Sequence, residues 1–292
     1  MELRHIRYFL AVAEERNFTR AAARLGISQP PLSQQIRDLE AEVGAELFMR
    51  VPQGAELTEA GRAFRDTVQS LPMQAERALR SARRAARGET GVLRLGFTGA
   101  ASFNPAVTSV ISAFRSAYPD VELSLEEANT TRLAAALSRG DLDAAFLRPV
   151  SATGGELDIC PIAMEPMLAV VPTGHAAAGD EKLDLRRLEY DPFILTPRPV
   201  GLSLFDTVVS ACRSAGFEPI FGQSAPQISS VVNFVAAQMG VSLVPACMRA
   251  LSVPGVVYRE LAGQAPVTRL ALAWRRTGAT PLARNFAAAA RE

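Results

Sequence analysis

Apolar residues recur at helical spacing through the first part of the chain. In LRHIRYFLAVAEE, residues 3–15, five apolar positions share one face of a helix: Leu3, Ile6, Phe9, Leu10 and Ala13. A second run, residues 18–25, has its own apolar face: Phe18, Ala21, Ala22 and Leu25. Asn17 is a suitable N-cap before this run, and Gly26 tolerates the left-handed turn that ends a helix. The pattern predicts two helices, and the small alanines allow another helix to approach closely.

A third helix is predicted to begin just after Ser28. Four apolar residues follow helical spacing and are expected to point inward: Leu32, Ile36, Leu39 and Val43. Ser28 is the expected N-cap. Pro30 and Pro31 fall in the first turn, where their missing N–H groups cost little. The break at Gly26 therefore predicts a tight turn between two crossed helices, as in a helix-turn-helix.

The outward face of this third helix carries side chains that suit duplex DNA. Gln and Arg present paired donors and acceptors that match base edges in the major groove, and Pro can contact a thymine methyl group. Serine hydroxyls and free N–H groups at a helix start suit phosphates. Eight residues are the predicted DNA contacts, the last of them in the hairpin that follows: Ser28, Gln29, Pro30, Pro31, Ser33, Gln34, Arg37 and Arg50. The spacing alone also fits any corner between two helices with a glycine turn.

A short hairpin is predicted after this helix, in GAELFMRVPQGAELTEAG, residues 44–61. Gly44 ends the helix, Gly54 lies at the hairpin turn, and Leu57 returns towards the core. Arg50 leads the hairpin. A β-wing of this kind typically lies along the backbone of the duplex, so its presence after a helix-turn-helix favours DNA binding.

The segment from Thr58 to about Arg87 predicts one long helix with a heptad repeat. Its seam consists of seven residues: Phe64, Val68, Leu71, Ala75, Ala78, Ala82 and Ala85. Such a helix measures roughly 43 Å and is expected to bury its seam against a partner helix; the alternative is packing on its own domain. Pro72 removes one backbone hydrogen bond and predicts a kink. The many alanines predict weak pairing by this segment alone.

Beyond a hinge at residues 87–91, strands alternate with helices, which is typical of a parallel sheet. The predicted strands are residues 92–97, 121–126, 144–147, 167–171, 193–195, 242–245 and 268–275. The predicted helices are residues 104–118, 130–139, 203–215, 229–239 and a last one that starts near Pro281.

Four segments lie at predicted strand ends beside helix starts, where open sheets bind ligands: residues 98–102, 129–131, 199–203 and 226–229. Their hydroxyls and free N–H groups suit an anionic oxygen ligand, and Arg148 can add a charge-assisted bond. The candidate effector-binding residues are Thr98, Gly99, Ala100, Ala101, Ser102, Asn129, Thr130, Arg148, Gly201, Ser203, Phe205, Pro226 and Gln227. Phe205 or Phe103 is a candidate cover for an apolar part of the ligand. Two alternatives stay open: ordinary helix capping by the hydroxyls, and a surface salt bridge for Arg148.

Composition narrows the function classes. The 292 residues have 48% hydrophobic content and a net charge of +1, as in a soluble globular protein. No apolar run approaches the ~20 residues of a membrane span, so a cytoplasmic protein is expected. The three cysteines (Cys160, Cys212, Cys247) and two histidines (His5, His175) are not spaced for a metal site or a catalytic triad. No nucleotide motif is present, so no metal and no cofactor are expected.

The run FLAVAEERNFTRAAARLGISQPPLSQQIRDLEAEVGAELFMR, followed by LTEAG, resembles the N-terminal domain of LysR-type transcriptional regulators. The resemblance implies an α+β multidomain protein: a winged helix-turn-helix at 1–58, a dimerising linker helix at 59–88 and an effector-binding domain at 89–292. That domain is expected to have two α/β lobes like those of periplasmic binding proteins, at about 91–160 with 266–292 and at about 161–265. Gln53 departs from the Arg that many members carry in the wing.

The stretches FTGAASFNP, EEANTTRL and RPVG resemble the branch of the family that responds to aromatic acids and their ring-cleavage products. This implies a small carboxylate effector that binds between the two lobes of each subunit and regulates binding to promoter DNA. The resemblance also implies a homodimer through the linker helix, and tetramers are expected. An enzyme on the same fold stays open, but it needs an acid or base in the cleft, and the four segments contain no His, Cys, Asp or Glu. A nonspecific architectural DNA binder does not need two hundred residues of lobed structure.

Overall fold

The computed structural model describes residues 1–52, 54–149 and 155–291. Gln53, the wing position noted above, therefore lies outside the described residues. The chain divides into two compact units, residues 1–84 and residues 85–292. No helix in the described ranges is both long enough and apolar enough to cross a membrane.

Three helices form the core of the first unit: α1 (Leu3–Glu15), α2 (Phe18–Leu25) and α3 (Gln29–Val43). Their inward faces meet in one apolar cluster whose central members are buried: Phe9, Val12, Ala21, Leu32, Ile36 and Leu39. Asn17 caps α2, since its side chain accepts hydrogen bonds from the N–H groups of Thr19 and Arg20. Gly26 ends α2 with a φ of 70°. The predicted turn between α2 and α3 is thereby confirmed.

Two details of α3 differ from the prediction. Val43 is 41% exposed, because it lies in the last turn of the helix and Leu39 is the last residue of α3 in the apolar cluster. Ser28 occupies the N-cap position with extended backbone, but its side chain makes no capping hydrogen bond. Its hydroxyl is therefore available to another partner.

The wing after α3 consists of two antiparallel strands, β1 (Phe48–Val51) and β2 (Gly54–Leu57). The N–H of Ala55 donates to the carbonyl of Arg16 at 2.9 Å. Gly54 has a φ of 145°, and a Cβ at this position would lie 2.1 Å from that same carbonyl oxygen. The base of the wing is therefore fixed against the turn after α1, and only glycine fits at this contact.

The segment after the wing forms two helices rather than the single rod that the heptad repeat predicts. These are α4 (Glu59–Val68) and α5 (Leu71–Ala86). Pro72 lies in the first turn of α5 and has no N–H to donate to the carbonyl of Val68, so the interruption falls just before the proline.

The heptad seam divides at this interruption. Phe64, Val68 and Leu71 pack on the core of the first unit, and the Phe64 ring meets Phe9 edge-on at 4.9 Å between centroids. No residue of α5 is buried. The expectation that the whole seam faces a partner helix is therefore wrong for its first part, which packs on its own domain.

The second unit contains ten strands and five helices in its described part. The strands are β3 (Gly91–Phe97), β4 (Val121–Glu127), β5 (Ala144–Leu147), β6 (Leu157–Pro172), β7 (Lys182–Leu183), β8 (Pro192–Leu195), β9 (Ile220–Ser224), β10 (Ser242–Pro245), β11 (Val256–Leu261) and β12 (Val267–Arg275). The helices are α6 (Pro105–Ala117), α7 (Thr130–Arg139), α8 (Leu202–Ser214), α9 (Ile228–Ala236) and α10 (Pro281–Ala289).

The long strand β6 joins two lobes. Its first part pairs with β12, and the sheet continues in the order β12, β5, β3, β4. Its last part pairs with β10 and β11, and β11 pairs with β7. Strands β3, β4 and β5 are parallel, as predicted, and β8 and β9 also pair in parallel. The pairs that involve β6 with β10, β11 or β12 are antiparallel, so the complete sheet is mixed.

Several strands are absent from the prediction: residues 157–166 of β6, and all of β7, β9 and β11. Strand β7 has only two residues, and every residue of β9 is exposed, whereas β11 begins with the apolar run Val256, Val257 and Tyr258, which the prediction passes over. The first part of β6 contains Pro161 and the polar Asp158. The predicted helices of the second unit are present: the bounds of α7 are as predicted, and the ends of the others differ by at most three residues.

Candidate functional sites

Six polar or small residues cover the side of α3 that faces away from the core, and we call them the polar face of α3: Gln29, Pro30, Pro31, Ser33, Gln34 and Arg37. All are exposed except Ser33, which is partly exposed. Leu32 and Ile36 anchor the opposite side of the same turns. Nine residues of helix span about 13 Å, which suits the width of a major groove.

The predicted contact residue in the wing lies apart from this face. Arg50 is on β1, opposite Ala55 of β2, and its side chain is exposed. It has no hydrogen bond or ion pair with the residues that the structure describes in the first unit. A guanidinium in that state is available for a phosphate.

A cleft of about 240 Å³ lies between the two lobes of the second unit. Ten predicted effector-binding residues line it: Thr98, Gly99, Ala100, Asn129, Thr130, Arg148, Gly201, Ser203, Pro226 and Gln227. Seven further lining residues are not among the candidates, although Val200 and Ile228 fall within the predicted segments: Glu127, Ala128, Arg132, Thr196, Val200, Leu204 and Ile228. The fold thus brings together segments that lie up to 130 residues apart in sequence, from Thr98 to Ile228.

Three helices begin at this cleft. The residues that precede α7, α8 and α9 are Asn129, Gly201 and Gln227, and all three line the cleft. Asn129 caps α7 by accepting a hydrogen bond from the N–H of Arg132. Neither Gly201 nor Gln227 caps its helix with a side chain. Free N–H groups and the positive ends of helix dipoles therefore converge on one small space.

Arg148 forms part of the cleft wall but is already paired. Its side chain is 3% exposed, one terminal nitrogen forms an ion pair with Glu165 at 2.6 Å, and the other donates to Thr268 Oγ1 at 3.2 Å. The salt-bridge alternative is therefore correct, although the bridge is buried rather than at the surface. The Arg148 Nε and the Thr98 Oγ1 are buried and have no hydrogen-bond partner among the described residues.

The Arg148–Glu165 pair connects the two lobes through β6. Glu165 Oε1 accepts a hydrogen bond from the N–H of Cys247 at 3.3 Å. Burial acts to raise the pKa of Glu165, but the charge of Arg148 and hydrogen bonds from Cys247, Arg148 and Asn104 outweigh it and lower that pKa. Glu165 is therefore a charged carboxylate at neutral pH.

Cys247 and Cys212 are in environments that keep their thiols protonated. Burial raises the pKa of Cys247 to about 12, and the nearby Glu165 adds to that effect. Cys247 Sγ donates to the carbonyl of Ala100 at 3.2 Å. Burial also raises the pKa of Cys212 to about 12. Because the thiolate is the reactive form, both thiols are poor nucleophiles at neutral pH.

Three predicted effector-binding residues do not line the cleft. Ala101 is fully buried in the core of the first lobe. The Ser102 hydroxyl donates to the carbonyl of Gly99 at 2.7 Å and so closes the turn. Phe205 packs on the core of the second lobe and stacks on Phe221 with 5.6 Å between ring centroids. These corrections arise because a helical turn points successive side chains in different directions. Phe103 likewise packs on an apolar cluster and is not a cover.

The unpredicted lining residues are close to the predicted ones. Thr196 follows the end of β8, as Thr98 follows the end of β3, so the same strand-end rule would have found it. Glu127 and Arg132 flank the predicted segment at Asn129. Glu127 brings an exposed carboxylate to the cleft, contrary to the expectation drawn from the four segments. Within the described ranges, no group of three or more His, Cys, Asp or Glu side chains could hold a metal ion.

Comparisons with known proteins match both units. Residues 3–62 match the family described as bacterial regulatory helix-turn-helix protein, lysR family, and residues 86–292 match the LysR substrate binding domain. The HTH-type transcriptional regulator BudR of Raoultella terrigena is 40% identical over 277 residues, which cover 94% of this chain and 95% of BudR.

Solved structures agree over the full length. The crystal structure of CbnR, a LysR family transcriptional regulator, has a TM-score of 0.86 at 28% identity and is covered completely, as is this chain. Full-length CbnR in complex with its target DNA has a TM-score of 0.85 at 28% identity, with 100% of this chain and 99% of that chain covered. The chain therefore belongs to the LysR family, and it is a DNA-binding transcriptional regulator with an effector-binding domain rather than an enzyme.

Proposed function

We propose that this regulator recognises promoter DNA through the polar face of α3, with Ser28 and Arg50 at phosphates, and that a small carboxylate in the cleft modulates this recognition. Gln34 and Arg37 are the expected readers of base edges, because their side chains offer paired hydrogen-bonding groups. The DNA complex of CbnR, which covers this chain completely, supports the placement of the first unit on a duplex.

The carboxylate is the finer part of the proposal, and one observation carries it. The Thr98 hydroxyl and the Arg148 Nε are buried without partners among the described residues, beside the uncapped starts of α8 and α9. The Thr98 hydroxyl and the Arg148 Nε–H are hydrogen-bond donors, and the starts of α8 and α9 present free backbone N–H groups. The helix dipoles add positive potential. A neutral apolar ligand would leave them unsatisfied, whereas a carboxylate accepts several such bonds.

The rest of the cleft sets the size and the shape of this ligand. Its volume of about 240 Å³ is below the range of ≈ 300–1,000 Å³ that is usual for drug-sized ligands. Val200, Leu204 and Ile228 supply an apolar wall. A small acid with an apolar or aromatic portion therefore fits best. Its binding would favour one relative position of the lobes, which is how an effector shifts a population of states.

A thermal-shift series on the full-length protein tests the carboxylate. Aromatic and short aliphatic acids are compared one by one with their primary amides, which keep the shape and lose the charge. A ligand that binds only the folded state raises the melting temperature by mass action. We expect at least one acid to raise it while its amide does not. Equal shifts from acid and amide, or shifts from neither, would contradict the carboxylate and leave the DNA-binding function intact.

We further propose that the working form is a homodimer through α5, with effector-domain contacts that build tetramers. Met73 and Leu79 of α5 are exposed apolar side chains, and the edge strands β4 and β9 expose Leu125 and Phe221. Exposed apolar residues on a helix and on sheet edges are typical interaction surfaces. As a regulator of promoter DNA, the protein is expected to work in the cytoplasm.

Sedimentation of the full-length protein over a range of concentrations tests this assembly. We expect dimers at low concentration and tetramers at high concentration, with Leu79→Glu reducing the dimer and Phe221→Glu reducing only the tetramer. A monomer at all concentrations would contradict the proposal.

A further inference from the structure

A chain of side-chain hydrogen bonds connects the start of α1 to the middle of α3. The backbone N–H of Glu2 donates to His5 Nδ1 at 3.2 Å. His5 Nε2 lies 3.2 Å from Gln35 Oε1, in a partly buried contact. Gln35 Nε2 in turn donates to Asp38 Oδ2 at 3.3 Å. Asp38 is therefore tied to a different helix through one of its two oxygens.

The other oxygen of Asp38 belongs to the polar face of α3. Gln34 Nε2 donates to Asp38 Oδ1 at 2.8 Å. Arg37 donates to Gln34 Oε1 at 2.6 Å. The two candidate base readers are thus bonded to each other, and Asp38 holds one of them. This series of hydrogen bonds therefore runs from the start of α1 to the two exposed side chains of Gln34 and Arg37.

The direction of every bond in this chain is fixed by chemistry. A backbone N–H can only donate, so Nδ1 of the neutral His5 ring must accept and Nε2 must carry the proton. At the far end, a guanidinium can only donate, so the Gln34 oxygen must face Arg37. An ionised carboxylate can only accept, so both glutamine amides must turn their NH₂ groups towards Asp38. No amide in the chain can flip without placing donor against donor or acceptor against acceptor.

We propose that Asp38 is a positioning residue for DNA recognition: it fixes the orientation of the Gln34 amide and, through it, that of Arg37. The inference rests on the proposed function, since it takes Gln34 and Arg37 as the readers. In this arrangement Gln34 keeps one N–H and one oxygen lone pair for a base edge, and Arg37 keeps its remaining N–H groups. A rotating amide would instead present either order of donor and acceptor and would discriminate less between bases.

Electrostatics alone predicts a different behaviour for Asp38. A carboxylate on a DNA-facing helix repels phosphates, so its removal should strengthen binding to every duplex. Positioning predicts a loss of discrimination, which is the ratio of affinities for an operator and for a scrambled duplex of equal length. Because both duplexes carry the same phosphate charge, this ratio separates the two roles.

The test uses Asp38→Asn and Glu42→Gln in the full-length protein. Each removes one negative charge from α3, but Glu42 pairs with the N-terminal ammonium group and contacts neither reader. An asparagine at position 38 offers one acceptor and one donor, so it can satisfy only one of the two glutamine amides. We expect Asp38→Asn to lower the operator-to-scrambled ratio by roughly five- to tenfold and Glu42→Gln to leave the ratio unchanged. Circular dichroism checks that both variants fold.

A double-mutant cycle decides whether Asp38 acts through Gln34. If it does, Asp38→Ala lowers the ratio in the wild-type background and has little further effect in Gln34→Ala. An equal effect of Asp38→Ala in both backgrounds, or a ratio unchanged by Asp38→Asn, overturns the positioning role. A wild-type protein that shows no operator preference would instead contradict the reader assignment itself, so the two failures are distinguishable.

Discussion

The polar face of α3 and the cleft of the effector domain place their polar groups in opposite ways. The polar face comes from six residues within a nine-residue stretch of one helix, and its side chains are exposed or partly exposed. Hydrogen bonds join Gln29 to Ser33 and Arg37 to Gln34. The cleft comes from strand ends and helix starts that lie up to 130 residues apart, between Thr98 and Ile228. The Arg148–Glu165 pair beneath it is buried. The polar face of α3 is suited to contact a large charged molecule such as duplex DNA, whereas the cleft has room only for a small ligand.

Because of this difference, polar contacts in the two regions are expected to contribute differently to the free energy of unfolding. Exposed polar contacts contribute little to folding, because water competes for them. A buried ion pair is costly to break, because the remaining charge stays in a poorly solvated place. Substitutions on the polar face should therefore change DNA recognition with little effect on stability, while substitutions beneath the cleft should change stability first.

The largest expected effect is at Glu165, beneath the cleft. Glu165→Ala leaves the buried Arg148 without its counter-charge, and we expect a loss of about 3–5 kcal/mol in the free energy of unfolding. Urea unfolding of the effector-domain signal measures it. Asp206→Ala is the matched control, since Asp206 forms an exposed pair with Arg198 and should cost under about 1 kcal/mol. Equal losses of unfolding free energy in the two variants would contradict the expectation that the buried ion pair contributes more to stability than the exposed one.

The same pair gives a pH dependence. The pKa of Glu165 is lowered from the ordinary value of 4.5. A carboxyl group whose pKa is lower in the folded state contributes stability above its unfolded pKa and loses that contribution as the pH falls through its folded pKa. The difference in melting temperature between wild type and Glu165→Gln should therefore be largest near neutral pH and shrink below about pH 4. A difference that grows with acidification would contradict the charge assignment.

The next effect is at the base of the wing. Gly54→Ala places a methyl group 2.1 Å from the Arg16 carbonyl oxygen at a φ of 145°, and we expect a cost of about 2–3 kcal/mol and a displaced wing. Affinity should fall for operator and scrambled duplex alike, because phosphate contacts carry no sequence information. Gly44→Ala, with a φ of 76° and nothing within 4 Å of the added methyl, should cost only about 1 kcal/mol. Similar effects on DNA affinity from both variants would contradict the fixed wing.

Substitution of the readers should give an intermediate effect that is confined to recognition. Arg37→Ala or Gln34→Ala should lower discrimination by ~1–3 kcal/mol for each lost bidentate contact while the melting temperature stays nearly constant. Competition binding with operator and scrambled duplexes measures it. An unchanged operator preference in Arg37→Ala would contradict its assignment as a reader.

The smallest effect is at Thr98. Thr98→Val removes a buried hydroxyl that lacks a partner among the described residues, so folding stability should stay the same or rise. The affinity for the acid should fall by roughly five- to tenfold, for one lost hydrogen bond to a charged group. Ser102→Ala is the control, because that hydroxyl is already bonded to Gly99. A loss of acid affinity in the control but not in Thr98→Val would exclude Thr98 from the site.

The two regions also differ in how far the sequence predicts them. The turn at Gly26, the cap at Asn17 and the polar face of α3 follow from local rules, because every partner lies within a few residues. Val43 is predicted to point inward but is exposed, because helical spacing does not indicate where the apolar cluster ends. For the same reason the heptad repeat did not reveal that Phe64 and Leu71 pack on their own domain.

The cleft was predicted by segment but not by side chain. The strand-end rule located Thr98, Asn129 and Gly201, since it depends only on the order of strands and helices. It could not indicate that Ala101 and Phe205 point into the cores, because a side chain's direction depends on the exact turn of the helix. The sequence pattern also does not predict the partner of Arg148, since Glu165 lies in the first part of β6, which the pattern does not indicate as a strand.

The most direct test of the account is a crossed experiment on full-length protein. It measures affinity for the duplex upstream of its own gene and for a scrambled duplex, with and without the acid that stabilises the protein most. We expect wild type to prefer its own duplex and the acid to change that preference. Arg37→Ala should weaken the preference but retain the stabilisation by acid. Thr98→Val should keep the preference and need roughly five- to tenfold more acid for the same response. No preference in wild type at any salt concentration, with or without acid, would contradict the account.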